Sequence, residues 1–77
     1  MKNRKPSLAI RMRLANNLRA LRIARGLTQR ELAALCGLHR NTVGTIERAT
    51  ANVTLDSLGT LATGLRCSAG RLLHRKA

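Results

Sequence analysis

The chain contains no Phe, Trp or Tyr. Modules that hold single-stranded bases by stacking them on aromatic rings are therefore excluded. Acidic residues are scarce as well: 3 Asp+Glu stand against 15 Lys+Arg in 77 residues, a formal charge of +12. Such an excess selects a polyanion as partner, either nucleic acid or an acidic membrane surface. Val43, Val53, Ile10, Ile23 and Ile46 are the whole supply of β-branched apolar residues, whereas Leu and Ala dominate. That balance points to helices rather than sheet. Two cysteines, Cys36 and Cys67, are too few for a disulfide framework. Both stand among apolar residues, as reduced thiols buried in a cytosolic protein do. No apolar run approaches the roughly 18 residues needed to span a bilayer. The basic start Met1-Lys2-Asn3-Arg4-Lys5 is followed by neither a continuous apolar stretch nor a small-residue cleavage site. The expectation is one small cytoplasmic domain, with 44% apolar residues to fill its core.

What is present has helical period. Residues 1–7 form a basic arm ending at Pro6-Ser7, where a helix can start. Ile10, Leu14, Leu18 and Leu21 then mark one inward face, and Gly26 closes this first helix after Arg25. Thr28 and Glu31 have the spacing of a capping box, with Leu27 and Leu32 as its hydrophobic staple. They open a second helix over 28–36, whose inward face is Leu32, Leu35 and Cys36 and whose end is Gly37. A third helix over 39–48 turns Val43 and Ile46 inward and leaves Arg40, Asn41, Gly44, Thr45 and Arg48 as an outer strip. Thr54 caps a fourth, with Asp56 at the positive end of its dipole and Leu55, Leu58, Leu61, Ala62 and Leu65 facing in. Ser68 caps a short fifth that presents Leu72 and Leu73. The fold class is all-α: a compact bundle of five short helices over 8–74, with a tail at 75–77.

Two short helices joined by a tight Gly-containing turn, the second carrying a polar strip, make a helix-turn-helix. The major groove of a duplex, about 12 Å wide, admits one such helix and lets its side chains meet base edges. The run Asn17-Leu18-Arg19-Ala20-Leu21-Arg22-Ile23-Ala24-Arg25-Gly26-Leu27-Thr28-Gln29-Arg30-Glu31-Leu32-Ala33 resembles the phage Cro/repressor-type helix-turn-helix family. Gly37-Leu38, Ile46-Glu47-Arg48, Thr54-Leu55-Asp56-Ser57-Leu58 and Leu61-Ala62 extend the resemblance over residues 12 to 73. It implies a lambda-repressor-like DNA-binding domain and a dimeric transcription regulator, with the dimer surface on the fourth and fifth helices.

Position by position, the resemblance sets Gln29 against phosphate, with a bridge to the start of the recognition helix 39–48. It sets His39 against phosphate too, and Arg40, Asn41 and Thr45 against base edges. Chemistry agrees: Arg suits guanine O6/N7, Asn suits adenine N6/N7, and a Thr methyl meets the thymine methyl. Gly44 reads nothing and only permits close approach. Thr28 and Arg48, with Lys2, Arg4 and Lys5 of the arm, complete the phosphate set. The resemblance also implies a buried ion pair between Arg22 and Glu47, and the spacing agrees, since each lies four residues after an inward Leu18 or Val43. The three acids are then all engaged: Glu31 in the capping box, Glu47 in the pair, Asp56 at a helix start.

Three positions depart from the family pattern. Ala49 replaces a frequent glycine after the recognition helix, so a left-handed residue there would be strained. Val53 replaces a common proline, and Gly44 a frequent Ser or Thr. Neither metal binding nor catalysis finds support, because Cys36, Cys67, His39 and His74 lack paired ligand spacing and no nucleophile has a positioned base. No cofactor is expected. The reading is a duplex-DNA-binding repressor acting as a homodimer on a palindromic operator. A restriction–modification controller, an antitoxin, and a protein-interaction module on the same fold are the alternatives. A first helix lying on a membrane fits poorly, because its arginines are not confined to one face.

Overall fold

The computed structural model describes residues 7–75, and among them there are five helices and no strand. α1 spans Ser7–Ala24, α2 Gln29–Cys36, α3 Arg40–Glu47, α4 Leu55–Leu65 and α5 Ala69–Leu73. Lys2, Arg4 and Lys5 lie outside the described residues, as do 76–77.

Hydroxyls start three of the helices. Thr28, Thr54 and Ser68 accept from the N–H of Glu31, Ser57 and Arg71, each at 3.0 Å. At α2 the box closes fully, the Thr28 N–H donating to Glu31 Oε1 at 2.8 Å. Four helices end alike. Gly26, Gly37, Ala49 and Arg66 take left-handed φ of 67°, 69°, 60° and 54°. The N–H that follows each reaches back five residues, as Leu27 does to Arg22, Leu38 to Ala33, Thr50 to Thr45 and Cys67 to Ala62. Glycine takes this conformation freely, whereas Ala49 and Arg66 crowd their Cβ against a carbonyl. The strain at Arg66 has no signal in the sequence.

α1 packs on α3 and α5, and α2 packs on α3 and α4. Leu18, Leu32, Val43, Leu61, Leu65 and Leu72 are sealed at the centre, with Leu14, Ile46 and Leu58 around them. Asn17 ties α5 to α1 by donating to the carbonyls of Leu72 and His74, both at 2.8 Å. α2 and α4 meet at Gly64, where an added Cβ would fall 2.5 Å from Cys36 Sγ and 3.2 Å from Cys36 Cα. Glycine there costs helix propensity but permits the contact.

Several expected inward residues face out instead. Ile10 and Leu35 are half exposed and Leu55 is 84% exposed. Ile10 lines an open hollow with Val53, Leu58 and Leu73, which cover it incompletely. On α2 the close approach at Gly64 fixes Cys36 inward, and the neighbouring Leu35 is turned away by about 100° of helical rotation. Leu55 occupies the first position of α4, one turn short of the core contact made by Leu58. α1 also stops at Ala24, so Arg25 belongs to the turn.

Candidate nucleic-acid interface

α3 has eight residues, about 12 Å of helix. Its inner side is fixed by Val43 and Ile46, which are 0% and 2% exposed. Its outer side begins with Arg40 and Asn41, both exposed. His39 caps this end, its Nδ1 accepting the Asn41 N–H at 3.1 Å, so the ring's Nε2 is left to face solvent as the donor. Thr45 is half-buried and donates its hydroxyl to the Thr42 carbonyl at 2.9 Å. Its hydroxyl is therefore committed as a donor, although the oxygen can still accept.

The opposite end of α3 is held by a polar brace. Arg22 Nε and Nη2 donate to Glu47 Oε2 and Oε1 at 2.7 and 3.1 Å, and Arg22 Nη1 donates to the Leu27 carbonyl at 2.8 Å. The two side chains are 14% and 4% exposed. Donation to the Glu47 carboxylate raises the Arg22 pKa above the ordinary guanidinium value, against the opposing effect of desolvation. Gln29 joins by donating its Nε2 to Glu47 Oε1 at 3.1 Å. Gln29 therefore bridges to the end of the recognition helix, not to its start as expected, because the start of α2 abuts the end of α3.

Gly44 is buried under these groups. A Cβ there would lie 3.2 Å from Arg48 Nη1 and 3.4 Å from Gln29 Oε1. The space it leaves is taken by the protein's own side chains, which differs from an opening toward DNA. Thr28, Gln29 and Arg48 thus gather at one end of α3, while His39, Arg40 and Asn41 gather at the other. The Thr28 oxygen is occupied in the capping box, leaving its O–H as a free donor. Sequence reasoning missed the Gln29–Glu47 bond's location and the role of Gly44 in seating Arg48. Only the short side chain at position 44 hinted at either.

In chemical terms the face offers cations and N–H donors at both ends of an exposed helix, suited to two flanking phosphates with base edges between them. A family model described as helix-turn-helix matches residues 18–72. The control protein C.SmaI of Serratia marcescens is 44% identical over 63 residues, covering 82% of this chain and 75% of that one. The crystal structure of the hypothetical transcription factor NHTF from Neisseria superposes with a TM-score of 0.81 at 35% identity, covering 95% and 85% of the two chains. That of the restriction–modification controller protein C.AhdI from Aeromonas hydrophila gives 0.76 at 42% identity, covering 80% and 94%.

Proposed function

Because this chain belongs to the helix-turn-helix family, we propose that it is a transcription regulator that reads duplex DNA by laying α3 in the major groove. One observation carries this reading: α3 is locked on its inner side and braced at Glu47, yet Arg40 and Asn41 stand free on its outer side. Arg40 and Asn41 read bases, with Thr45 supplying apolar contact. Gln29, Thr28 and Arg48 hold phosphate on one side, and His39 holds it on the other. Gly44 serves by seating Arg48 and Gln29 close to the helix. Lys2, Arg4 and Lys5 add phosphate contacts from the arm. Two copies act on a palindromic operator, with half-sites one helical turn apart, roughly 34 Å. Likeness to C.SmaI and C.AhdI, named as controllers, supports control of a restriction–modification system over the antitoxin reading.

Selection of bound sequences from random duplexes, followed by footprinting, tests the proposal. A symmetric site is expected, with protection of two half-sites. Arg40→Ala should then lower affinity for that site by about 1–3 kcal/mol and relax preference at one base pair per half-site. Equal loss on every sequence would show that Arg40 holds phosphate instead.

A further inference from the structure

Two hollows lie along the flank where α1 meets α5. One is lined by Ala20, Ala24 and Arg71. The other is lined by Ala9, Met12, Arg13 and Arg75. Asn17 and His74 belong to both, because the Asn17 amide holds the chain at His74 against the middle of α1. The pair forms a groove crossed by the chain at His74, running about 22 Å along α1 from Ala9 to Ala24. No residue of α2, α3 or α4 lines it. Arg22 faces α3 through Glu47, and Asn17 faces α5 through Leu72. Five residues separate them, which sets the two directions about 140° apart around α1.

Two properties specify an occupant. The charge is of one sign, since Arg13, Arg71 and Arg75 edge the groove while all 3 acids lie on α2, α3 and α4. Among the described residues the only ion pair is Arg22–Glu47, so none of these three arginines is neutralised within the fold. The rest of the lining is small or apolar: Ala9, Ala20 and Ala24 are exposed, and Met12 is 50% exposed. A bare phosphate backbone would engage the arginines and leave this carbon surface wet. A polypeptide carrying carboxylates beside apolar side chains engages both.

We infer that an acidic amphipathic segment of a partner protein, about four helical turns long, docks along the α1–α5 groove. Its carboxylates pair with Arg13, Arg71 and Arg75, and its apolar side chains enter the hollows on either side of His74. The outer side of α3 stays free, so the partner and a duplex bind at the same time. The groove takes its occupant whether or not α3 reads bases.

NMR titration of the isotope-labelled full chain with a synthetic helical peptide, a Leu stripe flanked by Glu, tests this. Amide shifts are expected to cluster at Ala9, Ala20, Ala24 and Arg71, and to persist when duplex DNA is in excess. Arg71→Gln combined with Arg75→Gln should weaken the peptide by about tenfold. Ala20→Gln fills one hollow without altering charge and should weaken it by about fivefold. Circular dichroism melts report the fold of each variant, and Ala24→Gln replaces Ala20→Gln if the latter melts early. Binding unaltered by the arginine pair or by the filled hollow overturns the groove as the site. Shifts confined to α3, shifts abolished by the duplex, or no shift at all do the same. Equal binding by a peptide with Gln in place of Glu overturns the acidic partner. A single-stranded oligonucleotide that moves the groove amides more than the peptide does gives the groove to nucleic acid and overturns the inference.

Discussion

Glu47 ties α3 to both α1 and α2, because the carboxylate that neutralises Arg22 also accepts from Gln29. Removing its charge leaves a largely buried guanidinium without its counter-ion. The usual cost is about 3–5 kcal/mol, and the lower end applies because Arg22 keeps an edge in water. Glu47→Gln should therefore lower the melting temperature by about 10 °C or more, and DNA affinity should fall only as far as folding does. A melt unchanged by the substitution would refute the brace. The strained helix ends give predictions of opposite sign. Ala49→Gly and Arg66→Gly remove Cβ crowding at φ of 60° and 54°, and each should stabilise by about 1 kcal/mol in a chemical denaturation series. The burial of Cys36 raises its thiol pKa, with Cys67 adding to the effect, so labelling of the folded protein should proceed first at Cys67.

At the scale of elements, contacts between helices decide what their own sequences leave open. Gly64→Ala places a methyl against Cys36, including its backbone, and should cost about 1–3 kcal/mol by thermal melt despite the gain in helix propensity. Asn17→Ala leaves two carbonyls at the end of α5 without their donor. Exchange of the α5 amides should accelerate well before those of α1 and α4. These two contacts also mark where the sequence stops being legible. Hydroxyl caps, glycine stops and the Val43–Ile46 pair are local, so five helices and the outward Arg40, Asn41 and Arg48 of the α3 strip could be read directly, whereas Gly44 of the same strip is buried. Leu35, Ile10 and Leu55 keep a helical period with the core residues, yet they are exposed. Periodicity gives a face about half a turn wide, and only the neighbouring helix determines which part of it is covered. Gln29 went astray for the same reason: its position on α2 was clear, but the end of α3 that it touches depends on how the two helices cross.

For the molecule as a whole, the distribution of charge sets the terms of binding. Glu31 and Glu47 are engaged within the fold, so nearly the whole exterior attracts phosphate. With Thr28, Gln29, His39, Arg40, Asn41, Thr45 and Arg48 acting as proposed, the cations among them and the arm release several counterions per copy. The logarithm of affinity should fall linearly with the logarithm of salt, losing roughly a thousandfold or more between 50 and 200 mM. A flat salt profile would reject phosphate as the chief source of affinity. The left-handed closures of four helices have a kinetic consequence. Each turns the chain with hydrogen bonds spanning no more than five residues, and the connecting loops are short. Little loop entropy must be spent before distant helices touch, so refolding after dilution from denaturant should finish within milliseconds. A newly synthesised chain would then be folded almost as soon as it leaves the ribosome, so its availability in the cell would be set by synthesis and turnover and not by folding.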